Sequence, residues 1–197
     1  MKRLILTGEI GTGKTSLIRT ALGDEVRRAG GFITGRIFED TLLRGYALAP
    51  AAALADPAFV GQSFLTLSPT PHRNDTVFAE SGVRLLAAAL DAPFAVADEF
   101  GGLELQVSPF YAALLALLRS DVPVIGVLKT PEALRALSEK ISPENDYSQR
   151  ANALRSMLEA DPDTMLLPVS GWDDPFAIQT IQAWVNAYVR RDGSGTN

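Results

Sequence analysis

The chain contains no cysteine, which excludes disulfide bonds, thiolate nucleophiles and cysteine-ligated metal sites. It has a single histidine, His72, too few for a multi-histidine zinc site, so any metal must be held by oxygen. An excess of positive charge is also lacking. With 18 Lys and Arg against 23 Asp and Glu, the formal net charge is −5 and the pI near 4.9. That balance argues against nucleic acid or an anionic membrane as a partner, leaving room only for a local basic cleft. No stretch approaches the roughly 18 uninterrupted apolar residues of a membrane span, and the short run "LIL" after Lys2 and Arg3 is too brief for a signal-peptide core. The simplest reading is a cytoplasmic protein. What is present is the composition of a globular chain: 47% hydrophobic, 21% charged, mean hydropathy +0.10. Its 197 residues are enough for one buried core and short for two. Residues 1–191 read as one domain and 192–197 as a frayed tail.

Short β-like runs alternate with helical patterns, the signature of an α/β fold with a largely parallel sheet. "RLILT" (3–7), "FAVAD" (94–98), "VPVIGVL" (122–128) and "TMLLPVS" (164–170) are short and apolar, as strands covered on both faces should be, and are expected to form the centre of the sheet. Ser108 and Pro109 supply an N-cap and first-turn pair for a helix with Tyr111, Leu114, Leu115 and Leu118 at helical spacing. Thr130 with Pro131, and Asp174 with Pro175, open two more in the same way. The last carries Ile178, Ile181, Val185 and Tyr188 on one stripe. Between Gly31 and Pro71 the pieces "GFITGRIF", "RGYALA" and "SFLTL" read as a small antiparallel extension. Residues 141–162 read as a charged loop and then a helix with Leu154, Met157 and Leu158 inward.

The strongest motif follows the first strand. Gly8, Gly13, Lys14 and Thr15 in "GEIGTGKTS" fit G-x-x-x-x-G-K-[ST], with an apolar strand before and the helical pattern "TSLIRTAL" after. Glycines let successive backbone N–H groups turn inward around phosphate oxygens, and the helix N-terminus behind them adds a positive dipole end. Residues Gly8, Glu9, Ile10, Gly11, Thr12, Gly13, Lys14, Thr15 and Ser16 are therefore expected to cradle a nucleotide such as ATP or GTP. Lys14 would reach the β and γ phosphates and Thr15 would ligate Mg²⁺.

A phosphate cradle alone does not separate hydrolase, kinase and switch. The run "FAVADEFGGLEL" ends a strand in Asp98, where a P-loop protein needs a Mg²⁺ ligand. Glu99 follows at once. Side chains alternate along a strand, so Asp98 is expected to face the metal while Glu99 approaches the γ-phosphate from the other flank, able to deprotonate an attacking water. These residues, with "GGFITG" (30–35) and the P-loop, resemble the small nucleoside-triphosphatases of thermophilic prokaryotes, known in animals as cancer-related nucleoside-triphosphatase. That resemblance implies a P-loop, RecA-like core, Mg²⁺-dependent conversion of NTP to NDP and phosphate, loose nucleotide choice and slow turnover. It also implies a site role for Glu104.

The sequence departs from that family where Arg36, Ile37 and Phe38 stand in place of the family's glutamate, aliphatic and arginine. A cation for the γ-phosphate could come instead from Arg36, Arg44 or Arg73, each of which is otherwise a solvated surface arginine. Lys129 closes the strand after the carboxylate pair, as a phosphate sensor or a surface lysine. His72, alone in a Pro-flanked loop, reads as a surface residue. Trp172 follows the last strand, where its indole either stacks on a base or covers the final helix. Three functions stay open: hydrolysis, phosphoryl transfer to an acceptor held near residues 31–71, and a nucleotide-gated switch.

Overall fold

The computed structural model describes residues 1–56, 61–67, 70–130 and 146–190. The helix expected after Thr130, the start of the 141–162 stretch and the tail lie outside them. Strand β1 (Arg3–Thr7) leads through the P-loop into helix α1 (Lys14–Leu22). A 3₁₀ turn (Gly23–Arg28) precedes the long strand β2 (Gly30–Glu39), which folds back on β3 (Leu42–Pro50). Strands β4 (Gln62–Thr66) and β5 (His72–Arg73) follow. A π-helical turn (Val77–Gly82) runs into α2 (Val83–Ala89), then come β6 (Ala95–Phe100), α3 (Ser108–Arg119) and β7 (Val124–Leu128). The chain continues through α4 (Asp146–Ala160), β8 (Thr164–Pro168) and α5 (Pro175–Tyr188).

The eight strands among the described residues form one sheet in the order β5-β4-β3-β2-β6-β7-β1-β8. The run β2-β6-β7-β1-β8 is parallel, and β3, β4 and β5 continue it antiparallel. The four apolar strands are neighbours, as expected, but they are not central: β8 is an edge. The antiparallel extension is built onto the parallel sheet through β2, which pairs with β6 only over Gly30–Phe32 and with β3 along most of its length.

Alternation along β1 divides the core. Leu4 and Leu6 face α1 and α5, joining Ile18, Leu22, Ile181 and Trp184, while Ile5 faces Phe110, Leu114 and Leu117 of α3 and Leu154 and Leu158 of α4. Each fully buried side chain of this size contributes about 1.5–3 kcal/mol, and both faces of the sheet are covered. Helix α5 starts as its sequence dictates, with the Asp174 carboxylate accepting from the N–H groups of Phe176 and Ala177 at 3.1 Å each. Helix α3 does not: Ser108 makes no capping hydrogen bond, and its hydroxyl instead accepts from Arg150. In α4, Leu154 and Leu158 are buried and Met157 packs beside them, as its spacing predicts. Among the described residues no helix is long and apolar enough to cross a membrane.

Candidate active site

The carboxyl ends of β1, β6 and β7 meet the antiparallel extension around a cavity of about 490 Å³. One wall is the P-loop. Gly8, Gly11 and Gly13 have φ of 131°, 87° and 84°, backbone that a side chain would strain. Space enforces glycine as well at two of them. A Cβ on Gly8 would come within 2.5 Å of the Val169 carbonyl oxygen, and one on Gly13 within 2.9 Å of Trp172 Cβ. Ile10 is exposed at the mouth. Thr12 donates to the Glu9 carbonyl at 3.0 Å. The Lys14 ammonium donates to the carbonyls of Gly8 (3.0 Å) and Glu9 (2.5 Å) and to the Thr12 hydroxyl (3.0 Å). It is thus held over the loop at the cavity wall, beside Thr15 and Ser16. Burial pulls its pKa below the usual lysine value, against the opposing pull of the Glu99 and Asp98 charges.

Asp98 is almost fully buried and accepts a hydrogen bond from the Thr15 hydroxyl at 2.9 Å. Burial pushes its pKa up to about 7, with the adjacent Glu99 charge adding, while the Thr15 bond and the Lys129 and Lys14 ammoniums pull the other way. Two oxygen donors side by side, one a carboxylate, have the chemistry that a hard cation such as Mg²⁺ requires of its ligands. No group of three or more acidic or histidine side chains that could cage a metal occurs among the described residues.

Glu99 stands at an irregularity of its strand. The pairing of β6 with β7 shifts between Ala97 and Phe100, and Glu99 adopts φ 57°, left-handed backbone in a residue other than glycine. Such a conformation costs about 1–3 kcal/mol and is held by its surroundings. The surroundings are evident: the Lys129 ammonium grips the Glu99 carbonyl oxygen, and the Thr34 hydroxyl donates to the Glu99 carboxylate at 3.4 Å. Asp98 bonds Thr15, while Glu99 lines the same cavity as Lys14 and Thr15. Glu104, buried to 5% exposure, accepts from the Gly102 N–H at 2.5 Å and reaches the cavity from a 3₁₀ turn (Leu103–Gln106).

The arginines separate. Arg36 lines the cavity, and among the described residues no carboxylate pairs with it. Arg44 is not among the lining residues and bonds Glu39 at 2.6 Å near the turn of the β2-β3 hairpin. Arg73 lines the cavity but all three of its guanidinium nitrogens are engaged, by Asp75, by Gln106 and by the Leu103 carbonyl (3.0 Å). It braces the turn that carries Glu104. Lys129 also lines the cavity, half-buried, with its ammonium bonded to the Glu99 carbonyl oxygen. His72 is exposed in β5 and does not line the cavity. Trp172 is 73% exposed and is not among the residues that line the cavity. It borders a groove shared with Ser16, Leu17, Thr20, Ile178 and Gln182, next to Gly13.

Two features escaped the sequence. Thr34, two residues beyond Phe32 in "GGFITG", holds Glu99; its β-branched neighbour Ile33 marks a strand but not a partner 65 residues away. Tyr46, Phe64 and Phe78 line the cavity opposite the P-loop, and nothing local in their sequence sets them apart from core aromatics.

A family model described as NTPase matches residues 3–151. The nucleoside-triphosphatase THEP1 of Methanosarcina barkeri (strain Fusaro / DSM 804) is 30% identical over 135 residues, covering 65% of this chain and 76% of that protein. The crystal structure of THEP1 from the hyperthermophile Aquifex aeolicus superposes with a TM-score of 0.61 at 17% identity, covering 92% of this chain and 97% of the other. A human cancer-related nucleoside triphosphatase in solution aligns at 16% identity, TM-score 0.49, over 82% of this chain and all of its own. Carrying the P-loop and carboxylate pair within the matched span, this chain belongs to the NTPase family and is a nucleoside-triphosphatase.

Proposed function

We propose that the chain hydrolyses NTP to NDP and phosphate in this cavity, with Mg²⁺, slowly and with little regard for the base. The observation that carries the reading is Glu99. A residue kept in left-handed backbone at a strand bulge, gripped through its carbonyl and its carboxylate, is an expense that a merely solvated strand end has no reason to keep. Its carboxylate accepts the proton of a water aimed at the γ-phosphorus, and Thr34 fixes its orientation. The P-loop N–H groups and the Lys14 ammonium bind the β and γ phosphate oxygens. Thr15 and Asp98 would hold Mg²⁺, which supplies neutralisation of charge on the bridging phosphates. Glu104 bonds the Gly102 backbone and so keeps the turn after Glu99 in place.

Among the described residues Arg36 is a cavity-lining cation with no carboxylate partner, able to meet charge on the transferred group; as an exposed side chain it must be ordered in each cycle, which suits slow turnover. Trp172 offers an accessible ring beside the P-loop, and stacking serves purines and pyrimidines alike. The net charge of −5 supports free nucleotide, not nucleic acid or a membrane, as the ligand. The test is phosphate release from ATP, GTP, CTP and UTP with no acceptor, in Mg²⁺ and in EDTA. Turnover of all four within about tenfold, a span of ~1.4 kcal/mol, and its loss in EDTA, support the reading. No release without an acceptor, or undiminished release in EDTA, contradicts it.

A further inference from the structure

Phosphates and water need oxygen and nitrogen partners, yet the end of the cavity away from the P-loop is walled by three aromatic rings. Tyr46 and Phe64 stack with centroids 6.4 Å apart at 29°, and Phe64 meets Phe78 at 4.7 Å and 56°. Each ring stands at an irregularity. The β3-β4 register jumps between Tyr46 and Ala47, from Tyr46↔Leu65 to Ala47↔Ser63, so that Phe64 is the extra residue of a bulge. Phe78 is carried by the π-helical turn Val77–Gly82. Bulges and π-turns forgo regular hydrogen bonding, re-aim side chains and concentrate beside functional sites.

The register connects these rings to the catalytic carboxylate. Thr34 bonds Glu99; Arg36, two residues further along β2, shares Thr34's face of the sheet, and Tyr46 is Arg36's direct partner in β3. Strands are spaced about 4.8 Å apart, so a flat molecule lying against Tyr46 and Phe64 has its near edge within reach of Glu99. Thr34 and Arg36 line that path, and both line the same cavity.

We propose that the aromatic end seats a small neutral aromatic alcohol as phosphoryl acceptor, its hydroxyl taking the place of water at Glu99. The Glu99 carboxylate takes the hydroxyl proton, and the alcohol oxygen bonds to the γ-phosphorus. The bond from γ-phosphorus to the β–γ bridging oxygen breaks, and NDP leaves with the electron pair. The products are NDP and a phosphate monoester. This rests on the reading of Glu99 as the base.

The test incubates the protein with ATP and Mg²⁺ plus benzyl alcohol, tyrosol or uridine, followed by ³¹P NMR, with saturation-transfer NMR reporting ring binding. A monoester resonance from at least one alcohol is expected. Phe64→Leu, which keeps apolar volume but removes a ring, and Tyr46→Ala should each lower that alcohol's affinity about tenfold, the scale of one lost ring contact. Normal phosphate release with no monoester and no saturation transfer from any of the three overturns the proposal. So does monoester formation indifferent to both substitutions. Acceptor-free hydrolysis by Glu99→Gln separates the two readings: if it equals wild type, the base assignment fails; if it falls while no alcohol binds, only the acceptor site fails.

Discussion

Asp98→Asn should stabilise the metal-free protein more at pH 8 than at pH 5.5. Asp98 sits at 1% exposure, where burial and the Glu99 charge raise its pKa from 3.8 to about 7. An unfolded chain gives up this proton near its ordinary pKa of 3.8, whereas the folded chain keeps it until about pH 7. The stability contributed by the bound proton is therefore complete below pH 4 and is lost as pH rises through 7. The whole loss is on the order of 4 kcal/mol, and roughly half, about 2 kcal/mol, falls between pH 5.5 and 8. Asparagine keeps an oxygen to accept the Thr15 hydroxyl and cannot ionise. Its amide hydrogens lower the stability by a further amount, on the order of 1 kcal/mol, that does not vary with pH. The advantage of the variant should thus grow by about 2 kcal/mol from pH 5.5 to 8, or ~4–8 °C in Tm for a chain of this size. Thermal and urea unfolding in EDTA, without nucleotide, at both pH values, measure it. An equal difference at the two pH values would refute the claim that Asp98 is held protonated by its surroundings.

Lys14→Ala should weaken NTP binding on the order of 100-fold, the worth of charge-assisted bonds to phosphate, while circular dichroism shows the fold intact; unchanged affinity by calorimetry would undo the P-loop assignment. Gly13→Ala, forced into left-handed backbone against Trp172 Cβ, should lower stability by about 1–2 kcal/mol, and an unshifted urea midpoint would contradict the close approach. Trp184→Phe should preserve a nucleotide-dependent emission change, because Trp184 is buried in the core and donates to the Lys2 carbonyl. Trp172→Phe should abolish that change and Trp172→Ala should weaken ATP and GTP alike, by about tenfold given ~1–3 kcal/mol for a base-aromatic stack. Equal affinities in wild type and Trp172→Ala would remove Trp172 from the site.

The P-loop was legible because its chemistry is local: the glycines, Lys14 and Thr15 act within one turn of each other, and β1 matches its sequence reading residue for residue. The cap of α5 was legible for the same reason, since Asp174 bonds N–H groups two and three residues on. Asp98 could be placed by its position at a strand end, but the left-handed backbone of Glu99 could not. That conformation sits in a bulge held by Lys129 and Thr34, both distant in sequence and adjacent only across the sheet. Arg44 and Arg36 stand alike in sequence, eight residues apart, and differ only because the hairpin carries one to the cavity and the other to Glu39. Arg73 reads in sequence as a γ-phosphate cation or a solvated surface arginine, and only the fold brings Gln106 and the Leu103 carbonyl within its reach. The edge position of β8 followed from pairing order, which apolar runs do not encode.

The central claim, that Glu99 activates the attacking nucleophile, is tested most directly by Glu99→Gln, which keeps an oxygen to accept the Thr34 hydroxyl and removes the base. Single-turnover hydrolysis of saturating ATP with Mg²⁺ should fall by about 100-fold or more, the usual contribution of a general base, while the Kd for a non-hydrolysable ATP analogue stays within a factor of about three, ~0.7 kcal/mol. Wild-type hydrolysis by Glu99→Gln would contradict the account and turn attention to Glu104, the other carboxylate lining the cavity among the described residues.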